Sequence, residues 1–265
     1  MTDSQHGQVV AAAAEVYENF FVPALFGQFA EPLLDATGVE HGHRVLDVGC
    51  GTGIVARTAA RRVGPDGAVT GLDPNPGMLD VARRTSPDLT WRDGFAEALP
   101  FDDGSFDRAV CQFALMFFRD RQRSLGEIAR VVAAGGRVGV AVWSPVAESP
   151  GYAAMVDLLE RLFGEDAASA LRAPFILGTA KTLRTLLETA LVDVDVTRIE
   201  GTARFASIED WVHTDVRGWT LAELIDDDGE ARLLRAARAE MTPFVEADGS
   251  VSFAAPALVG TGTVP

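Results

Sequence analysis

The chain has 265 residues, 48% of them hydrophobic, and a formal net charge of −15. That length and apolar content are enough for one large α/β domain with an inserted cap, or two small domains, and they exclude a disordered chain. The charge argues against non-specific DNA or RNA binding, which depends on basic residues displacing counterions from phosphates; Lys181 stands alone in a helix and no Lys/Arg cluster marks a basic groove.

No apolar run approaches the ~20 residues of a membrane span. Residues 1–7 lack the basic and apolar segments of a signal peptide. Cys50 and Cys111 are too far apart for a CxxC motif and are expected as reduced thiols in a cytoplasmic protein. Residues 8–36 begin with a helical stretch over 11–20, which Pro23 and Pro32 then punctuate, with Pro32 near the start of a further helix. Tyr17, Phe20, Phe21, Phe26 and Phe29 make this segment strongly aromatic, and packing on a sheet is their default role.

Residues 45–53, Val-Leu-Asp-Val-Gly-Cys-Gly-Thr-Gly, carry the main signal. A short apolar run ends in Asp47, a loop with three glycines follows, and residues 54–61 read as a helix. Strand, glycine turn and helix open a βα unit of a nucleotide-binding sheet. A dinucleotide site wants Gly-x-Gly-x-x-Gly, with pyrophosphate on the helix N-terminus. Here the spacing is Gly49-x-Gly51-x-Gly53, and Ile54 stands at the third dinucleotide position. A carboxylate at Asp47 repels a pyrophosphate but accepts hydrogen bonds from an ammonium or from loop donors. The expected ligand is therefore adenosine-like, lacks a diphosphate and carries a positive amine, a description that S-adenosylmethionine fits.

The same residues resemble the first motif of class I S-adenosylmethionine-dependent methyltransferases, in particular the small-molecule branch that includes the ubiquinone/menaquinone-biosynthesis C-methyltransferases. The resemblance covers roughly residues 10–145 and continues only in outline. It implies a Rossmann-like, doubly wound α/β fold: a seven-stranded sheet, mostly parallel with an antiparallel last strand, plus a helical lid. It also implies an N-terminal helix over the cofactor, with Tyr17 against the methionine end, and cofactor contacts from Asp47, Gly49, Cys50, Gly51 and Gly53. Cys50 is expected as a small filler of the loop.

After a turn at residues 64–67, residues 68–73 read as the second strand. Asp73, at its end, is placed to accept both ribose hydroxyls, with a helix cap as the rival role. Residues 73–83 resemble the family's second cofactor motif; Pro74 belongs to it, Pro76 seats the next helix and Met78 packs on the adenine or in the core. Residues 89–92 form a short third strand. The resemblance places Asp93 near the adenine amino group, with Gly94 and Phe95 beside it. Residues 108–115 are the fourth strand and its exit, which puts Gln112 and Phe113 between cofactor and substrate. The Asn/Asp-Pro-Pro-aromatic motif of DNA and many protein N-methyltransferases is absent there. A helix over 121–132 leads to a fifth strand at 137–143.

The second half differs in kind. Residues 151–163 form an amphipathic helix where the family inserts a substrate cap, 180–190 a core helix and 192–199 the sixth strand. A second, mostly helical insertion spans 207–245, with Ile208, Trp211, Val212 and Trp219 as large apolar residues; 251–264 closes the chain as a seventh, antiparallel strand. The economical reading is one domain over 1–265: a helical cover (1–40), a cofactor-binding half (41–143) and lid insertions at 144–179 and 207–245.

Methyl transfer from a sulfonium is an in-line displacement that needs mainly alignment, and a base only for an alcohol, a phenol or an acidic carbon. His6 falls in the tail, and His41 and His43 precede the first strand on its far side, so His213 is the one histidine left as a candidate base over the site, with a structural or solvent-facing place in a lid helix as the favoured alternative. Tyr152, Trp211 and Arg217 are candidate substrate contacts. No His/Cys/Asp cluster has metal-ligand spacing. The expected activity is methyl transfer to a small, apolar organic acceptor, O- or C-methylation favoured, by a monomer or homodimer. The rivals are a protein that keeps the same cofactor pocket for other chemistry or for sensing, and a nicotinamide oxidoreductase, which Asp47 and Ile54 disfavour.

Overall fold

The computed structural model describes residues 14–218, 221 and 224–265, so the expectations on His6, on the start of the first helix and on Trp219 fall outside the described residues. The chain enters through α1 (Ala14–Val16), which runs directly into a π-helical stretch, Tyr17–Phe26, and then through a short 3₁₀ turn into α2 (Ala30–Thr37). Pro23 was expected to break the helix. Instead it sits inside the π-helical stretch, where the widened turn accommodates a residue with no N–H to donate.

Short apolar runs then pair into the sheet: β1 (Arg44–Val48), β2 (Ala68–Asp73), β3 (Thr90–Asp93), β4 (Phe106–Gln112), β5 (Val132–Trp143) and β6 (Val192–Ile199). In β1, Val45, Leu46, Asp47 and Val48 are all buried, the unalternating pattern of a parallel strand covered on both faces. Three more strands follow, β7 (Thr202–Phe205), β8 (Val251–Ala254) and β9 (Ala257–Thr263). The main sheet has the order β3-β2-β1-β4-β5-β9-β6. β1 is parallel to β2 and β4, β2 to β3 and β4 to β5, while β9 runs antiparallel to both β5 and β6. The seven-stranded, mostly parallel sheet is therefore as the sequence predicts. One detail is not: the last expected strand is broken at Ala255-Pro256. Its first half, β8, pairs with β7 in a separate two-stranded sheet, and only β9 inserts between β5 and β6. β6 is left at the sheet edge, where exposed Asp193 and Asp195 discourage pairing with another chain.

Helices α3 (Ile54–Val63), α4 (Pro76–Thr85) and α5 (Arg121–Val131) follow β1, β2 and β4. Asn75 caps α4, its side-chain oxygen accepting from the N–H groups of Gly77 and Met78, and Asp120 caps α5 through Arg123 N–H. Beyond β5 come α6 (Pro150–Phe163), α7 (Glu165–Arg172), the core helix α8 (Ala180–Leu187), α9 (Ile208–Arg217) and α10 (Asp227–Glu240). α6 packs on α7 and α10, α10 on α9, and α6 and α9 also meet the two-stranded β7–β8 sheet. Their interior is aromatic: Trp211 stacks on Phe205 at 5.8 Å and meets Phe253 at 4.8 Å, and Tyr152 lies 5.3 Å from Phe253.

Asp215, on the inner face of α9, is 1% exposed and neither carboxylate oxygen has a hydrogen-bond partner. Burial raises its pKa well above the ordinary value; the Trp211 indole N–H acts the other way without reaching hydrogen-bonding geometry. Below the ordinary carboxylate range both the folded and the unfolded chain hold the proton, and Asp215 costs nothing. As pH rises past that range the unfolded chain ionises first, and stability falls. Asp215→Asn should therefore stabilise the protein by about 1–2 kcal/mol at pH 7 and by nothing at pH 3, measured as urea midpoints at the two pH values. Equal shifts at both would mean that folding does not raise the Asp215 pKa.

Candidate cofactor cleft

The strand order reverses between β1 and β4, and ligands of such sheets bind outside the C-terminal strand ends at that point. There the chain leaves β1 in the glycine turn of residues 49–53, whose amides are already engaged inside the protein. Gly49 and Cys50 N–H both donate to Leu72 O, at 2.8 and 3.0 Å, and Gly53 N–H donates to Cys50 O at 2.9 Å. Gly51 N–H donates to Asp73 Oδ2 at 2.9 Å, and Ala56 N–H, in the first turn of α3, donates to Asp47 Oδ2 at 3.0 Å. Two carboxylates thus occupy the donors that a pyrophosphate would require.

Those two acids are both under strain from burial. Asp47 is 1% exposed and its pKa is pushed up to about 7, burial first, with the Ala56 N–H acting against it; its Oδ1 has no partner. Asp73 is pushed up to about 6, again by burial first, against the bonds from Asn75 N–H (2.8 Å, to Oδ1) and Gly51 N–H. Asp73 opens onto the cleft; Asp47 lies beneath the turn and does not.

The cleft is partly open to solvent. The turn contributes Gly49 and Gly51. The exit of β2 contributes Leu72, Asp73, Pro74, Asn75 and, from α4, Met78, while the loop after β3 adds Phe95, Ala96 and Glu97. The exit of β4 supplies Gln112, Phe113, Ala114, Phe117, Phe118 and Arg119, and the end of β5 supplies Trp143. Phe113 sits at φ +55°, a backbone conformation that costs a bulky residue energy and is held by its N–H to Ala141 O at 2.8 Å. The twist lays its ring flat on Trp143, centroids 3.8 Å apart and planes within 7°. Gln112 Nε2 donates to Phe26 O at 3.2 Å, and Gln112 Oε1 is buried without a partner.

Tyr17 and Phe26 of the π-helical stretch complete the cleft, their rings stacked at 5.1 Å. Burial, and then the nearby Asp73 charge, push the Tyr17 phenol above its usual range, so it keeps its proton. The cover is tied to the glycine turn through Arg57, which pairs with Glu18 at 2.8 Å and donates to Thr52 O at 2.7 Å.

Of the cofactor contacts expected from sequence, the structure brings Tyr17, Gly49, Gly51, Asp73, Pro74, Met78, Phe95, Gln112 and Phe113 together around this cleft. Asp47, Cys50, Gly53, Asp93 and Gly94 do not line it. Cys50 is buried, with Gly71 set against its Sγ, and burial pushes its thiol up. Asp93 is exposed at the end of β3. At Gly53, with φ +91°, a Cβ would lie 2.3 Å from the Trp91 ring, so packing by itself already requires glycine there.

The candidates from the second half of the chain, Tyr152, Trp211, His213 and Arg217, do not line this cleft. His213 faces outward on α9, its Nδ1 3.3 Å from Glu230 Oε1, and does not line the cleft. Arg217, one turn on, donates to Glu230 Oε2 at 2.6 Å and pairs with Asp227. Both lie on the polar face of an amphipathic helix, neutralised by α10. Tyr152 and Trp211 are buried in the lid interior, 2% and 0% exposed. Sequence reasoning missed Phe26, Asn75, Glu97, Phe117, Phe118 and Trp143. The rule that parallel strand ends line the crevice would have found Trp143 and the pair after β4. Among the described residues no group of three or more His, Cys, Asp or Glu is placed to hold a metal ion, and no helix is long and apolar enough to cross a membrane.

Comparison with known proteins agrees with this geometry. Residues 45–136 match a family model described as a methyltransferase domain. A demethylmenaquinone methyltransferase of Renibacterium salmoninarum is 41% identical over 112 residues, which cover 42% of this chain and 46% of that protein. The chain spans about half the length of the curated relatives it matches. Among solved structures, a putative methyltransferase of Bacillus halodurans superposes with a TM-score of 0.59 at 21% identity, covering 90% of this chain and 99% of that one. The [4+2]-cyclase SpnF superposes with a TM-score of 0.56 at 18% identity, covering 90% of this chain and 81% of that one. At such identities the likeness is one of fold. Residues 45–136 thus match a methyltransferase domain, and the sheet that carries them has the fold of those solved structures.

Proposed function

We propose that this chain is an S-adenosylmethionine-dependent methyltransferase acting on a small, largely apolar organic molecule. The observation that carries the reading is the glycine turn whose donors are held by Asp73 and Leu72 O, with Asp47 holding Ala56 N–H of α3 behind it, within residues that match a methyltransferase domain. Such a turn is unsuited to a diphosphate and leaves a carboxylate facing the cleft.

The residues present fit the cofactor. Asp73 retains lone pairs for ribose hydroxyls, and Leu72, Pro74, Met78 and Phe95 offer flat apolar surface beside it for an adenine ring. Gly51 leaves the backbone open, a Cβ there meeting only the Tyr17 ring at 3.8 Å, and Tyr17 covers the other end. When bound, the cofactor supplies a methyl group already activated on a sulfonium. What remains for the chain is to hold the acceptor in line and exclude water, which the rings of Phe26, Phe113, Phe117, Phe118 and Trp143 are suited to do. In this reading the chain is one domain, with residues 14–40 as cover and 144–179 and 207–245 as lid. Cys50 and Cys111, both free and buried, suit a cytoplasmic setting, and the net charge of −15 suits a small-molecule partner better than a nucleic acid.

Calorimetric titration with S-adenosylhomocysteine, with NADH as control, tests the reading. Micromolar binding of the first alone is the expected result. Binding of NADH instead would overturn the assignment of the glycine turn. Production of S-adenosylhomocysteine from S-adenosylmethionine with an added acceptor then separates methyl transfer from other uses of the same cleft.

A further inference from the structure

We infer that the methyl acceptor is an amine, and that Gln112, with the aromatic wall beside it, positions the amine nitrogen. The inference rests on the cofactor reading above. It starts from the orientation of one amide. Gln112 Nε2 donates to Phe26 O at 3.2 Å, and because a carbonyl oxygen only accepts, this bond settles which end of the side chain is which. Oε1 is then a buried acceptor with no partner, on a residue lining the cleft. A buried acceptor left unsatisfied is costly, and the group that satisfies it must carry an N–H or O–H.

The surroundings decide between those two. The titratable side chains lining the cleft are Tyr17, Asp73, Glu97 and Arg119. Asp73 is bonded to the backbone through both oxygens, and Glu97 Oε1 accepts from Arg119 N–H at 2.8 Å and Asp120 N–H at 3.3 Å. Tyr17 holds its proton. An alcohol would need a base dedicated to the acceptor, whereas Asp73 is committed to the glycine turn and the ribose side of the cleft and Glu97 is held by the N–H groups of Arg119 and Asp120. A phenolate or enolate would bring its negative charge against the lone pairs of Oε1. A neutral amine needs no base and has both features at once, an N–H for Oε1 and a lone pair for the methyl.

The step balances without another reactant. The nitrogen lone pair forms the new N–C bond as the methyl C–S bond breaks, and the sulfur keeps the electrons of that bond. The nitrogen becomes a cation, whose N–H strengthens its bond to Oε1 and whose charge is attracted by the faces of aromatic rings such as Phe26, Phe113 and Trp143. The proton is lost to water after release. This departs from the O- or C-methylation favoured from the sequence, because the orphaned Oε1 is visible only in the fold.

The test needs no knowledge of the acceptor. Sinefungin carries a primary amine on carbon where the cofactor carries its sulfonium methyl, and so presents an N–H cation at that point. The full-length chain is titrated calorimetrically with S-adenosylhomocysteine and with sinefungin. Sinefungin should bind at least about tenfold more tightly, the scale of a hydrogen bond to a charged donor. Gln112→Leu should abolish that preference, and the near-isosteric Gln112→Glu should keep or raise it. Equal affinities in the parent chain, or a preference that survives Gln112→Leu, would overturn the inference. Equal losses of both ligands in a folded Gln112→Leu would also overturn it, by making Gln112 a contact of the cofactor itself. If neither ligand binds the parent chain, the cofactor reading fails, and this inference with it.

Discussion

Asp73→Ala should weaken S-adenosylhomocysteine binding by roughly a hundredfold, about 3 kcal/mol, measured by calorimetry on folded protein. The effect is large because Asp73 has two roles at once. It faces the cleft, and it also holds the glycine turn through Gly51 N–H and the α4 entrance through Asn75 N–H. Asp73→Asn is not a gentle control. Both oxygens accept from backbone donors, so an amide must turn its NH₂ toward an N–H on one side or the other. It should therefore lose most of the same affinity. Binding should also weaken as pH falls through about 6, where Asp73 takes up a proton, because ribose hydroxyls need the ionised acceptor. Affinity that is unchanged in folded Asp73→Ala, and flat between pH 5 and 8, would remove Asp73 from the ligand.

The second large effect concerns stability. Gly53→Ala should destabilise the fold by about 3 kcal/mol, a fall of roughly 5–10 °C in the melting temperature of a chain this size. Part of that is the backbone: Gly53 sits at φ 91°, ψ 24°, where an added Cβ costs about 1–2 kcal/mol. The rest is collision, since the new Cβ would stand 2.3 Å from Trp91 Cη2. The indole cannot retreat easily. It is buried, its Nε1 donates to Ser86 O at 2.9 Å, and Gly71 confines it on another side, where a Cβ would lie 2.5 Å away. A double-mutant cycle isolates the collision: in a Trp91→Leu background the Gly53→Ala penalty should shrink to the backbone part. Full stability in Gly53→Ala, with cofactor binding lost, would return this glycine to the ligand.

By itself the sequence determined the order and type of the main elements and the place of the cleft. The uninterrupted apolar run of β1, the turn glycines and Asp73 at the end of β2 are local signals, readable because strand burial, turn backbone and strand ends depend on neighbours in sequence. The break at Pro256 was equally local, and an N–H-less residue inside an expected strand could have been read as one. What only the tertiary structure decided is which way each residue of a motif faces. Asp47, Cys50 and Gly53 turn inward because Ala56 N–H, Gly71 and Trp91 meet them there. His213 and Arg217 turn outward because Glu230, on another helix, pairs with both. Phe113 meets Trp143 face to face through a backbone at φ +55°, which no local pattern signals. Periodicity reports that a side chain is buried or exposed, but its partners are set by contacts between distant segments, and those partners separate a ligand contact from a piece of the core.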